Sequence, residues 1–150
     1  MRSVSRSLGL MLAAVAGLAM SLVLMAPASA NAQDEAPSAE ATWELADGVQ
    51  LLCVPPGVNH YSYFVGFISG HWDTELTAEV QGFPEGTDVD MAETYPPGDN
   101  GDKSIGTVWI MVKLPPLDYG EYPATLFVSD GTVTQTMGML IKVQDGRDCD

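Results

Sequence analysis

From Val49 to Val143 the chain alternates apolar and polar positions in short runs, each closed by glycine, proline, aspartate or asparagine. In Glu75–Gln81, Leu76, Ala78 and Val80 oppose Thr77, Glu79 and Gln81, the period-2 mark of a half-buried strand. The same period runs through Ile105–Leu114 and Tyr122–Val128, while Val49–Val54 is a short apolar run ending at a Pro-Pro-Gly turn and Tyr61–Ile68 is rich in aromatics. A weaker run at Val89–Thr94 and a final one at Val133–Val143 complete the set. "SDGT" at 129–132 is a hairpin connection of the Asp-Gly kind. The polar run "PPGDNGDKS", Pro96–Ser104, reads as a loop. No window carries a helical stripe, and prolines interrupt each candidate. Seven short strands spaced by turn signals predict an all-β sandwich or small barrel.

Two of these strands are apolar on both sides. Trp109 and Met111 face away from Val108, Ile110 and Val112, and in "YSYFVGFI" Phe64 and Ile68 oppose Tyr61, Tyr63, Val65 and Phe67. Both sets cannot enter one central core. Either the Pro96–Ser104 loop or the segment around Trp43 folds over the second set, or that set is an open face for a protein or a sugar ring. The residues expected at such a contact are Phe64, Trp72, Tyr95, Trp109 and Met111.

The N-terminus changes the compartment. Arg2 and Arg6 precede an apolar run from Leu8 to Met25, and "APASANAQDE" offers small-residue cleavage sites after Ala30 or Ala32. This is a secretory signal pattern over 1–32. An uncleaved anchor is the rival reading, since the run is at the lower edge of what spans a bilayer; the small-residue sites favour cleavage. Residues 33–41, "QDEAPSAEA", read as a flexible acidic leader into one domain at 42–150. Removing 1–32 leaves four basic against twenty acidic residues, a formal charge of −16. Such a surface repels nucleic acid and anionic lipid, so neither is an expected partner. Nor is stable membrane insertion expected after cleavage. In an exported chain the two cysteines, Cys53 and Cys149, read as a disulfide.

Asp118, Gly120 and Tyr122 have the D-x-G-x-Y spacing found just before strand F of immunoglobulin-like sandwiches, where the phenol folds back onto backbone upstream. Around it, Leu76 with Gly82, Phe83, Pro84 and Gly86 matches a strand and turn. Gly120, Tyr122, Leu126 or Val128, Asp130 and Gly131 match a hairpin. Together these resemble the immunoglobulin-like modules of bacterial extracellular proteins over Val49–Val143. The resemblance implies a two-sheet sandwich of about seven strands and a role as spacer, adhesion unit or carbohydrate-recognition accessory. It departs at Ala124, where antibody domains place a core cysteine. In the variant of this fold whose first strand pairs with its last, the two run parallel. A Cys53–Cys149 bond would then clamp both terminal strands.

Catalytic chemistry has little to stand on. The sequence holds no G-x-S-x-G and no H-E-x-x-H, and His60 and His71 read as solvent-facing turn residues. Asp99 and Asp102 in "GDNGD" are the candidates for a calcium ion, although the run lacks the terminal glutamate of a calcium loop. No other cofactor is implied. The expectation is therefore a secreted, non-catalytic immunoglobulin-like protein of the envelope exterior, in surface recognition, adhesion or envelope structure, with an extracellular protein or carbohydrate as partner. The alternative is a secreted inhibitor or small-ligand or carbohydrate carrier.

Overall fold

A computed structural model describes residues 40–146 and 149. The expected leader, 1–32, and most of the acidic segment 33–41 lie outside the described residues. Among those described, every regular element is a strand: β1 (Trp43–Leu45), β2 (Val49–Val54), β3 (His60–Trp72), β4 (Leu76–Gln81), β5 (Asp88–Asp90), β6 (Thr94–Tyr95), β7 (Gly98–Leu114), β8 (Gly120–Ser129) and β9 (Thr134–Val143). They form a four-stranded sheet in the order β1-β3-β7-β5 and a five-stranded sheet in the order β2-β9-β8-β4-β6. This is the expected immunoglobulin-like two-sheet sandwich, with β2 and β9 pairing parallel from Val49↔Gly138 to Val54↔Val143.

Alternation decides the core. Phe64 and Ile68 of β3 with Val108, Ile110, Val112 and Leu114 of β7 face Ala124, Leu126 and Val128 of β8 and Met137, Met139 and Ile141 of β9, all buried. The inward faces are almost wholly aliphatic, and their removal from water is the main force holding the sheets together.

Two inward polar side chains join the sheets. Past the end of β1, Ala46 N donates to Phe67 O at 2.8 Å, and the next open position on that edge of β3 is Val65. Gln50 of β2 occupies it: its Oε1 accepts from Val65 N at 3.1 Å, and its Nε2 donates to Val65 O. Gln135 of β9 does the same for β1, accepting from Leu45 N and donating to Trp43 O, both at 2.9 Å. Each amide stands where a neighbouring strand would stand. Part-buried edge groups are thereby satisfied, at about 0.5–1.5 kcal/mol net per bond.

Nine strands replace the expected seven for identifiable reasons. β1 is only three residues long, and its identity as a strand comes from pairing with β3 at Trp43↔Gly70 through Leu45↔Ile68. The run Val89–Thr94 divides between the sheets, β5 pairing with β7 and β6 with β4. The expected loop Pro96–Ser104 is a correction: Gly98 onward is the first part of β7, paired with the end of β3 at Gly70↔Gly101, His71↔Asp99 and Trp72↔Gly98. A polar run becomes strand here because its partner strand supplies the ladder, whatever its own propensity. Asn100 Nδ2 donates to Ile68 O at 2.7 Å, beside the bulge between Ile68 and Gly70. At Gly70, φ is +84° and a Cβ would lie 2.3 Å from Thr42 O, so only glycine fits. At Gly98 a Cβ would lie 2.6 Å from Trp72 Cζ2, and the bare backbone lets the indole lie flat on β7.

Both fastenings expected from the sequence are present. Tyr122 Oη donates to Asp118 O at 2.9 Å, across the turn that contains Gly120. The bond is solvent-exposed, so the carbonyl would find water without it, and its worth is the net value of an ordinary hydrogen bond, about 0.5–1.5 kcal/mol. Cys53 and Cys149 are bonded, with Cα atoms 5.6 Å apart across a sequence separation of 96. Closing so long a loop constrains the unfolded chain by about 4–5 kcal/mol in the chain-entropy account. Replacing both cysteines by alanine is expected to lower the urea-unfolding free energy by about that amount. An unchanged midpoint would mean that the bond does not hold the terminal strands.

Candidate functional face

The outward positions of β3 and β7 carry the large side chains that the core does not take. In register, Tyr61 sits opposite Lys113, Tyr63 opposite Met111 and Val65 opposite Trp109, with Phe67 beyond. The neighbouring edge strand adds Asp88 beside Lys113 and Asp90 beside Met111. Tyr61 is 65% exposed, Tyr63 56%, Trp109 52% and Phe67 40%. These values mark an open aromatic face. The Tyr63 and Trp109 ring centroids are 5.6 Å apart with their planes inclined at 36°, and Trp109 Nε1 donates to Gly106 O at 3.1 Å. That bond steadies the indole on its own strand.

Of the residues expected at a contact, only Trp109 and Met111 lie on this face, Met111 half-buried. Phe64 and Trp72 are corrections: they are 2% and 5% exposed, on the inner side of β3. Phe64 leans on Phe83 at a centroid distance of 6.0 Å, and Trp72 Nε1 donates to Pro96 O at 2.9 Å. Neither can touch a partner. Tyr95 is half-buried on β6 in the other sheet, where desolvation raises its phenol pKa. Tyr61, Tyr63 and Phe67 take the places of these three. Their shared parity on β3 was visible, but which parity faces outward is decided by packing against the opposite sheet. The segments expected to fold over the face do not cover it: Gly98–Ser104 lies within β7, and Trp43 is buried in the core with its Nε1 donating to Asp130 Oδ2 at 2.8 Å.

At the far end of the same sheet, His71 meets two carboxylates that spacing alone did not bring together. Its Nε2 lies 2.8 Å from Asp73 Oδ1 and its Nδ1 3.7 Å from Asp99 Oδ2. The hydrogen bond and charge of Asp73, with Asp99 adding, hold the imidazole pKa above its ordinary 6.5. Asp99 Oδ1 also accepts from Gly101 N at 2.8 Å. Among the described residues no group of three or more His, Cys, Asp or Glu side chains converges as a metal site, and that includes the neighbourhood of Asp99 and Asp102.

Fold and face together define a disulfide-clamped immunoglobulin-like sandwich that presents aromatic side chains on the outside of one sheet. The chain belongs to the family of unknown function DUF5980, whose model matches residues 44–145. No curated protein matches the sequence. Among solved structures, it is similar to an endo-fucoidan hydrolase of glycoside hydrolase family 107, at 16% identity and a TM-score of 0.45 over 68% of this chain and 13% of that one. It is similar to WR4, a C. elegans MSP family member, at 11% identity and 0.43 over 70% of this chain and all of that one. A Bacteroides ovatus xyloglucanase matches at 14% and 0.37 over 68% of this chain and 19% of that one. Beside the two hydrolases this chain spans a small part of the partner's length, and at such identity the likeness says nothing about activity.

The His71 site gives a pH expectation. A pKa raised by folding contributes stability that is fully present below the unfolded value of 6.5 and is lost as pH rises through the folded value. By NMR titration, Asp73→Asn is expected to lower the His71 pKa more than Asp99→Asn does, because Asp73 makes the closer contact. If neither variant moves it, the contact does not exist in solution.

Proposed function

We propose that this protein is a secreted, non-catalytic recognition module of the bacterial envelope exterior, and that the outer face of β3 and β7 docks a protein partner. The observation that carries the reading is the shared exposure of Tyr61, Tyr63, Phe67 and Trp109 on the outer side of one strand pair. Tyrosine, tryptophan and methionine are enriched at protein interfaces, the two aromatics because they bury much area with few rotatable bonds. Lys113 with Asp88 and Asp90 at the margin supplies a polar rim to an apolar centre. The long-range disulfide supports export, since such bonds persist in oxidising compartments.

A carbohydrate partner is the second reading, and the geometry argues against it as the first. A sugar ring stacks best on aromatic planes that are level with the surface, whereas Tyr63 and Trp109 are inclined at 36° to one another. Tilted rings suit the interdigitation of a protein interface.

The test is retention on immobilised envelope material from the producing cells. The wild-type domain is expected to be retained, and the Tyr63→Ser/Trp109→Ser variant to lose retention about tenfold or more while keeping the wild-type circular dichroism and melting temperature. Protease treatment of the material should abolish retention and periodate treatment should not. Full retention of the double variant would remove the face from the account. Sensitivity to periodate alone would turn the reading to carbohydrate.

A further inference from the structure

The sandwich also carries a concave surface, lined by side chains other than those of the aromatic face. The connection from β5 to β6 passes from one sheet to the other around the edge of β4, and Ala78 N donates to Glu93 O at 2.8 Å, pinning it there. Between that connection and the surfaces of β4, β8 and β9 lies a groove of about 730 Å³. That size falls within the range of ligand sites. Its apolar lining includes Val80, Met91 and Phe127, and its charged lining is Glu79 and Glu93; no lysine, arginine or histidine lines it. Glu79 Oε1 accepts from Gln81 Nε2 at 2.5 Å, which leaves its other oxygen open.

The lining is matched to one kind of side chain. Lysine and arginine carry an apolar stem and a cationic head, so the stem can lie on Phe127 and Met91 while the head reaches a carboxylate. The face of Phe127 adds to the attraction for a cation. The backbone points to a peptide as the carrier of that side chain. β6 pairs with β4 only at Leu76↔Tyr95 and Thr77↔Thr94, so β4 continues to Gln81 as an edge. Strand alternation turns the Val80 N–H and C=O the same way as the Ala78 N–H, into the space alongside the connection. An extended segment there would gain main-chain hydrogen bonds as well as side-chain contacts.

We propose that this groove binds a basic, extended peptide segment, with the Lys or Arg stem over Phe127 and Met91, the charged head at Glu79 and Glu93, and the peptide backbone on the β4 edge at Val80. The site is distinct from the aromatic face and would stand if that face bound nothing.

The experiment uses the protein with a fluorescein-labelled peptide of alternating lysine and threonine, read by anisotropy at low salt. Saturable binding is expected, with none to the glutamate counterpart. Glu79→Gln/Glu93→Gln should weaken it by about tenfold or more, a change of about 1.4 kcal/mol. Glu85→Gln/Glu121→Gln, which removes the same charge from exposed positions outside the groove, should leave affinity within about twofold. Equal weakening by the two pairs would assign the binding to general acidity and overturn the site. Absence of saturable binding to the wild type would overturn it too. Methylation of the peptide's backbone nitrogens should weaken binding. If it has no effect and spermine competes at the same concentration as the peptide, the site takes small cations, and the peptide assignment falls.

Discussion

The ladder between β3 and β7 fixes which side chains of this protein meet solvent, and both the core and the proposed contact face depend on it. Strand period is two, so a slip of one residue would send Tyr61 and Tyr63 inward and turn Phe64 and Ile68 out. The sequence of β3 permits either choice, because both parities are apolar. What selects one is the opposite sheet. Leu126, Val128, Met139 and Ile141 form an apolar surface on which Phe64, Ile68, Val108, Ile110 and Val112 are buried, whereas the two tyrosine hydroxyls would have to be buried there without partners. The aromatic face is therefore the complement of the core, set by the same pairing.

The two sheets are joined by more than apolar contact. Gln50 and Gln135 extend the hydrogen bonding of the four-stranded sheet with side chains from the five-stranded one, along the side where β1 is too short to cover β3. At the same side the disulfide ties the region after β9 to the end of β2. The β1, β2 and β9 side is thus closed by amides and a covalent bond. On the β4 and β5 side, β6 covers only the first two residues of β4, and the groove with Glu79 and Glu93 opens. That asymmetry places one proposed contact on a sheet face and the other on a sheet edge.

The sequence made much of this legible and left specific parts hidden. Period-2 patterning located β4, most of β8 and the core half of β7, short runs between turn signals located β2, most of β3 and β9, and the Asp118, Gly120, Tyr122 spacing led to the immunoglobulin-like sandwich. The cysteine pair followed from an even count in an exported chain, and the parallel terminal strands from that resemblance. β1 and the Gly98–Ser104 part of β7 were hidden because their residues carry no strand signal of their own; partner strands define them. Phe64 was expected on the contact face because parity separates two sets without saying which is inside, and Trp72 because an aromatic beside a turn signal carries no mark of its burial. Gln50 and Gln135 carry no mark of a role in the sequence, and only the open backbone of β1 and β3 gives them a purpose. The groove was invisible for the same reason, since its lining comes from four separate segments.

The most direct test of the register is acrylamide quenching of tryptophan fluorescence. Of the three tryptophans, Trp109 is 52% exposed and Trp43 and Trp72 are 3% and 5% exposed. The account predicts one readily quenched component in the native protein, abolished by Trp109→Phe, with the remaining emission quenched only on unfolding. A Trp109→Phe variant that keeps the readily quenched component would show that β3 and β7 do not pair as described.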